Sequence, residues 1–262
     1  MFGDAAAYLE ASRRPISDSI SHVIEKALQG CVVSNFLDVG CGIGFLAEVL
    51  HGLHPESIGL GIDASRDLIA AAKRRAVKGI EFRHGNAYEI VAADNTYDLT
   101  ACQTLLIHLK DPKAAILEML RVTKTMGRLL IIEPVIHSSG SVGFVPGDAG
   151  AKKQLRDRML RFDIDQKCRG GIDMQVATKI PHLLLEVGAS KVCVDSFNVL
   201  AFADTDKSGN EDALQYNSYD RLMLDLGYDK RDLDQLKRIE SKYQQVKGEV
   251  NIVTLLVVSA HA

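Results

Sequence analysis

The stretch Leu-Asp-Val-Gly-Cys-Gly-Ile-Gly at residues 37–44 decides the fold of this chain. It follows a β-rich run at 32–39 and precedes an apolar helical pattern at 45–50, which predicts a strand, a tight turn and a helix. Glycines let the backbone turn tightly and let a ligand approach without a Cβ in the way. Asp63 ends the next predicted strand, where a carboxylate can accept hydrogen bonds from vicinal ribose hydroxyls. These residues predict a nucleoside-binding turn.

Strand and helix patterns alternate outward from this turn, which predicts a parallel sheet covered on both faces. A helix is predicted to begin at Asp111-Pro112 and to run to Gly127, with Asp111 as its cap. The other predicted elements are helices over 16–28, 45–50, 65–79, 152–162 and 180–187, and strands over 57–62, 80–83, 97–102, 128–133, 192–197 and 250–258. We expect one domain, 1–262, with an N-terminal helical cap over 1–30 and lid insertions over 135–171 and 204–248.

The spacing of the glycines distinguishes between nucleoside ligands. The dinucleotide fingerprint is G-x-G-x-x-G, whereas here the glycines stand at 40, 42 and 44 with Asp38 before them. This pattern resembles the first motif of class I S-adenosylmethionine-dependent methyltransferases. The segments 85–87, 94–99, 105–112, 118–122 and 127–134 resemble later motifs of the type 11 small-molecule branch. One departure is Lys-Thr-Met-Gly at 124–127, where the family usually has Lys-Pro-Gly-Gly, and a purely structural glycine turn is the alternative.

The resemblance implies a fold and an activity. The fold is α/β, a Rossmann-like three-layer sandwich with a seven-stranded, mostly parallel sheet whose last strand is antiparallel. The activity is transfer of a methyl group from S-adenosylmethionine to an O, N, S or C atom of a small molecule, by in-line displacement. Two other activities stay open at this stage: methylation of a protein or RNA, and binding of S-adenosylmethionine without catalysis.

The resemblance also implies which residues hold the cofactor. Asp63 would hold the ribose hydroxyls, and Asn86 replaces an aspartate that holds the adenine amino group in the family; an amide oxygen can still accept that bond. Gln103 would lie near the methionine part and the substrate, and Arg14 would pair with the cofactor carboxylate. The full implied set is Gly40, Gly42, Gly44, Asp63, Ala64, Asn86, Ala87, Gln103 and Arg14.

Three residues near predicted strand ends are candidates for a general base: His108, Glu133 and His137. A histidine has an ordinary pKa near 6.5, which suits proton transfer. Structural interpretations compete, because His108 is common at this place in the family, and Glu133 could cap a turn or anchor a lid. Residues expected in the substrate pocket are Tyr8, Phe144, Met159, Phe162 and Tyr216.

Composition excludes several other classes of protein. The chain has 262 residues, 47% of them hydrophobic, and a formal net charge of −3, so neither disorder nor a strongly basic nucleic-acid-binding protein is indicated. No apolar run reaches the length of a membrane span, and no signal peptide is recognised. Five cysteines without a C-x-x-C pair favour reduced thiols in a cytoplasm and no metalloid or metal site.

The segment 204–215 resembles the first half of a calcium loop. Its twelfth position is Gln215, not the bidentate glutamate, so a solvated turn is favoured. We expect a small-molecule acceptor as the partner, no nucleic acid and no membrane, and a monomer or homodimer.

Overall fold

The computed structural model describes residues 17–75, 77–135, 140–142, 175–203 and 249–262, together with Ala6, Leu9, Asp173 and Arg231. Much of the two predicted lid insertions therefore lies outside the described residues. The same holds for the predicted helix over 152–162, for the calcium-like segment 204–215 and for the five predicted substrate-pocket residues.

In the described part of the chain, eight strands form one mixed sheet. They are β1 (Asn35–Val39), β2 (Ile58–Asp63), β3 (Ile80–His84), β4 (Tyr97–Gln103), β5 (Thr123–Pro134), β6 (Gly140–Val142), β7 (Ser190–Ala203) and β8 (Glu249–His261). Strands β3, β2, β1, β4 and β5 are neighbours in that order and parallel, and β8 then pairs antiparallel with β5. Strand β7 pairs antiparallel with β8 along nearly its whole length. The predicted sheet with an antiparallel last strand is confirmed, and β6, a short strand of three residues against β8, is an addition.

Helices cover both faces of the sheet, as predicted. Helices α1 (Ser17–Ala27), α2 (Phe45–Leu53) and α3 (Arg66–Arg75) bury apolar residues with one face, and α4 (Pro112–Val122) and α5 (Val176–Glu186) with the other. Strand β5 shows why both faces are apolar. Its successive residues 129–132 are all fully buried and belong alternately to the two clusters, since neighbouring strand residues point to opposite faces.

Helix α4 begins where the sequence predicts and ends earlier. The Asp111 side chain accepts a hydrogen bond of 3.0 Å from the Ala114 N–H, which caps the helix. The predicted end at Gly127 is wrong, because Thr123 is already extended and opens β5. The buried Thr123 hydroxyl donates to the Met119 carbonyl, 2.6 Å away, and lies 2.8 Å from the Thr100 hydroxyl on β4. Pairing with β4 thus overrides the local helical pattern.

Among the described residues, no helix combines the length and the apolar character that crossing a membrane requires.

Candidate active site

The glycine turn joins β1 to α2 and is tied to β2. The N–H groups of Gly40 and Cys41 both donate to the Ile62 carbonyl, at 2.8 and 2.9 Å. Gly40, Gly42 and Gly44 have φ values of +70°, +55° and +91°, a region that residues with a Cβ rarely adopt. The sequence therefore needs glycine at these three positions for the turn itself, before any ligand is considered.

Asp63 lies at the end of β2 and holds this turn with its carboxylate. One oxygen, Oδ2, accepts a hydrogen bond of 2.9 Å from the Gly42 N–H, and the other, Oδ1, accepts one of 2.8 Å from the Ser65 N–H. Each carboxylate oxygen has a second lone pair that can accept a further bond. Since the side chain is only half-buried and borders a cavity, those positions are open to a ligand with two adjacent hydroxyls.

Asp38 supports the helix that leaves the turn. Its carboxylate is almost fully buried and accepts a hydrogen bond of 3.1 Å from the Ala47 N–H. Gly44, the residue that precedes α2, has no side chain that could do this. A carboxylate beside the first turn of a helix is also favoured by the helix dipole, so Asp38 stabilises the junction of turn and helix.

The loop after β3 forms the next part of the site. The Asn86 side-chain oxygen accepts a hydrogen bond of 3.0 Å from the Tyr88 N–H, which fixes the orientation of its amide. The Tyr88 hydroxyl in turn accepts one of 3.2 Å from the Asp111 N–H at the start of α4. This loop is therefore held to both β3 and α4, and the Asn86 oxygen keeps one lone pair for another donor.

The opposite side of the site is the segment that follows β4. Thr104 has a φ of +52°, and its N–H donates to the Ile132 carbonyl at 2.8 Å. A short 3₁₀ helix, Leu106–His108, comes next and presents an exposed His108. The Leu105 side chain lies against Gly40, where an added Cβ would be 2.6 Å from Leu105 Cδ1. Gly40 is thus the point at which the two sides touch.

A cavity of about 420 Å³ lies between these two sides, at the carboxyl ends of β1, β2 and β4. This volume falls in the range of small-molecule sites, and open α/β sheets bind ligands at this edge. The residues that line it are Leu9, Asp38, Gly40, Cys41, Gly42, Ile43, Phe45, Leu46, Ile62, Asp63, Ala64, Leu68, Gly85, Asn86, Ala87, Tyr88, Gln103, Thr104, Leu105, His108 and Leu109.

Most of the residues predicted from the sequence meet at this cavity. Gly40, Gly42, Asp63, Ala64, Asn86, Ala87, Gln103 and His108 all line it. Gly44 does not; it packs on Phe82, whose Cζ would lie 2.6 Å from an added Cβ. Glu133 does not line it either, and it is fully buried beneath the segment after β4. Arg14 and His137 lie outside the described residues.

Leu9, Tyr88 and Leu105 are among the lining residues that were not predicted. The place of Tyr88 could have been predicted from the sequence. It stands two residues after Asn86, and an asparagine side chain often accepts a hydrogen bond from the backbone two residues on. No sequence feature predicts the place of Leu105, since its contact with Gly40 depends on the left-handed backbone at Thr104.

Cys41, which lines the cavity, and Cys102, which is buried in β4, are poor nucleophiles. Burial raises the pKa of the Cys41 thiol, and the carboxylates of Asp38 and Asp63 raise it further. Burial likewise raises the pKa of the Cys102 thiol, with Glu133 and Asp38 adding to the effect. Both cysteines therefore stay protonated at neutral pH. Within the part of the chain that the structure describes, no group of three or more metal-ligating side chains is found.

The side chain of Gln103 at the cavity has a polar atom without a partner among the described residues. Gln103 is 6% exposed, and its Nε2 has no hydrogen-bond acceptor among the described residues. A buried N–H without a partner costs free energy, about 1–3 kcal/mol. An acceptor on a bound molecule, such as a carboxylate, would satisfy it. The donor at Gln103, the carboxylate at Asp63 and the glycine turn between them fit an amino-acid-bearing nucleoside.

The fold is a Rossmann-like α/β sandwich, and comparisons with known proteins show similarity to methyltransferases. The family model described as "Methyltransferase domain", of the type 11 family, matches residues 37–131. The YcgJ protein of Bacillus subtilis superposes with a TM-score of 0.56 at 14% identity, over 92% of this chain and 97% of that one. This last likeness shows the fold alone.

Curated relatives match by sequence as well. One is the uncharacterized methyltransferase C1B3.06c of Schizosaccharomyces pombe, 35% identical over 35% of this chain and 36% of the relative. Another is the ubiquinone/menaquinone biosynthesis C-methyltransferase UbiE of Desulfotalea psychrophila, 32% identical over 37% of this chain and 40% of the relative. The matched region thus spans well under half of each relative. Residues 37–131 of this chain are thus similar to the methyltransferase domain of the type 11 family.

Proposed function

We propose that this protein transfers a methyl group from S-adenosylmethionine to a nucleophilic O, N, S or C atom of a small molecule. The observation that carries the proposal is the Asp63 carboxylate, which borders the cavity while its oxygens hold the Gly42 and Ser65 N–H groups. That arrangement keeps a carboxylate acceptor rigid beside a turn whose glycines let a ligand approach the backbone. It suits the two ribose hydroxyls of a nucleoside whose sulfur lies over the glycines.

The other lining residues receive roles by their place around the cavity. The Asn86 oxygen would accept the adenine amino group, with Ala64 and Ala87 packing near the ring. The Gln103 amide would donate to the methionine carboxylate or to the substrate. Arg14, outside the described residues, stays a predicted partner of that carboxylate.

The cofactor supplies a methyl group on a sulfonium, so one C–S bond breaks, a bond to the acceptor forms and a neutral thioether leaves. The protein's own task is to hold the two reactants in line, and positioning alone reaches effective molarities of ~10⁵–10⁸ M. An acceptor hydroxyl or amine must also lose a proton. His108, exposed at the cavity, would take it, and His137 stays a second candidate outside the described residues.

A small molecule is the acceptor that the cavity favours. The opening is bounded largely by apolar side chains with few polar groups, and the chain carries a net charge of −3. An RNA substrate would call for a basic groove. The UbiE relative is by its name a C-methyltransferase of quinone biosynthesis, which makes an apolar ring compound the first class to screen.

The test is calorimetric titration with S-adenosylmethionine, with S-adenosylhomocysteine and with NADH as the control. We expect micromolar binding of the two sulfur nucleosides and none of NADH. A screen with labelled methyl groups over quinones, phenols and amines then seeks the acceptor. Binding without transfer to any small molecule, but with transfer to protein or RNA, would move the proposal to a macromolecular substrate. Absence of binding would leave the glycine turn structural.

A further inference from the structure

We propose that Glu133 is a positioning residue, which fixes the Thr104–His108 segment as one wall of the cofactor cavity. The inference rests on the proposed function, since it concerns the same cavity. It replaces the role of general base, which requires contact with the reacting atoms. Glu133 makes no such contact, because it is 0% exposed and does not line the cavity.

The contacts of Glu133 are those of a cap. A single oxygen, Oε1, accepts hydrogen bonds from the Leu105 N–H at 2.7 Å and from the Leu106 N–H at 2.6 Å. Hydrogen bonds to a charged acceptor are short and strong. These donors begin the 3₁₀ helix, and Leu105, the residue before that helix, offers no side-chain cap. Glu133 on β5 therefore supplies from a neighbouring strand what the local sequence lacks.

The segment needs such a support, because its backbone is strained. Thr104 adopts a φ of +52°, which is disfavoured for a residue with a Cβ. The chain then turns at once into a single 3₁₀ turn, a geometry with poor hydrogen bonds of its own. Such conformations persist when surrounding contacts over-determine them. Here those contacts are the Glu133 carboxylate and the Ile132 carbonyl, both from the end of β5.

The Thr104–His108 segment that Glu133 holds forms a large part of the site. Thr104, Leu105 and His108 line the cavity from this segment. Leu105 also presses on Gly40, the first glycine of the turn on the other side. A shift of the segment would move His108 relative to the bound nucleoside and would loosen the wall opposite Asp63. Cofactor affinity should therefore depend on a side chain that the cofactor does not touch.

The test compares Glu133→Gln and Glu133→Ala with a matched control, Thr123→Val. Thr123 is also buried, lies at the other end of β5, makes two side-chain hydrogen bonds and does not line the cavity. Each variant is titrated with S-adenosylmethionine and S-adenosylhomocysteine, its melting temperature is measured, and amide exchange is followed at Leu105 and Leu106. We expect the dissociation constant to rise about tenfold for Glu133→Ala and about threefold for Glu133→Gln, which keeps an acceptor.

The control should lose stability with its affinity unchanged. If Glu133→Ala does not fold, Glu133→Gln carries the test, with faster exchange at Leu105 and Leu106 as its second readout. Affinity losses no greater than that of Thr123→Val would overturn the positioning role and make Glu133 merely structural. Failure of the parent to bind either nucleoside would refute the proposed function instead. Even then, amide exchange at Leu105 would report whether Glu133 holds the Thr104–His108 segment. Unchanged exchange in Glu133→Gln would refute the positioning role.

Discussion

Each side of the cavity is held by a carboxylate that accepts two backbone hydrogen bonds, but the two carboxylates have different roles. On one side the Asp63 carboxylate accepts two backbone hydrogen bonds, from Gly42 and Ser65, and on the other the Glu133 carboxylate accepts two, from Leu105 and Leu106. Asp63 is half-buried and borders the cavity, whereas Glu133 is fully buried and does not. Position at the end of a strand therefore does not separate a ligand-binding carboxylate from a structural one. What separates the two is whether the side chain borders the cavity.

The largest effect is expected from removing the half-buried Asp63 carboxylate. Asp63→Ala should weaken S-adenosylmethionine binding by roughly 10²- to 10⁴-fold, because two hydrogen bonds to a charged acceptor contribute about 3–6 kcal/mol. The matched control is Asp67→Ala, which removes the same charge from an exposed position in the first turn of α3. We expect the control to bind as the parent does. Calorimetric titration measures both, and an Asp63→Ala variant with parental affinity would show that the ribose lies elsewhere.

The next effect tests the point where the two sides touch. Gly40→Ala should lower the free energy of unfolding by about 2–4 kcal/mol, since it adds left-handed strain and a contact with Leu105. Leu105→Ala relieves the contact but not the strain, so the double variant should be less destabilised than the sum by about 1 kcal/mol. Gly188→Ala is the control, because φ there is +93° and nothing lies within 4 Å of an added Cβ. Urea denaturation measures all four variants, and strict additivity would mean that Leu105 does not press on Gly40.

The same two sides differ in how far sequence could predict them. The glycine turn, Asp63 and the cap at Asp111 follow from local rules on backbone freedom, strand ends and helix starts, and the structure contains each of them. The cap at Leu105 and Leu106 is supplied from β5, 27 and 28 residues further along the chain. No local pattern shows it, because it exists only after β4 and β5 have paired and Thr104 has turned.

The end of α4 is likewise set by contacts that are distant in sequence. The sequence predicts a helix from Asp111-Pro112 to Gly127, whereas the helix ends at Val122. Pairing of Tyr97 with Thr123 decides the matter, together with the buried hydroxyl contact between Thr123 and Thr100. Tertiary contacts override helix propensity where a strand edge is available.

A tenfold loss of turnover is expected when His108, on the wall formed by the Thr104–His108 segment, is replaced. If His108 takes the proton from an acceptor hydroxyl or amine, His108→Ala should lower kcat by about tenfold or more, because general base catalysis contributes roughly 10²–10⁴-fold and water replaces part of it. Binding of S-adenosylmethionine should change little in this variant, in contrast to Asp63→Ala. The control is His182→Ala, an exposed histidine on α5 that does not line the cavity. Unchanged turnover in His108→Ala would leave His108 a structural residue of the wall.

The smallest effect concerns the support of the loop that contains Asn86. Glu118 accepts hydrogen bonds from Arg121 and from the Ile90 N–H, and Arg121 also donates to the Ile90 and Ala92 carbonyls. The hydrogen bonds from Arg121 lower the pKa of the Glu118 carboxyl, with the Ile90 N–H adding to the effect. A carboxyl whose pKa is lower in the folded state stabilises the fold above its unfolded pKa, about 4.3, and loses that contribution as the pH falls through its folded value.

Glu118→Gln should therefore destabilise the protein at pH 6, and the difference from the parent should shrink as the pH falls below about 4. Urea denaturation at pH 6 and pH 3 measures this difference. The same substitution in an Arg121→Ala background is the control, and there we expect a much smaller pH dependence, because the main cause of the lowered pKa is gone. A difference that stays constant between the two pH values would mean that the carboxylate charge contributes nothing. The loop at Asn86 would then depend on shape and neutral hydrogen bonds, unlike the wall that Glu133 supports.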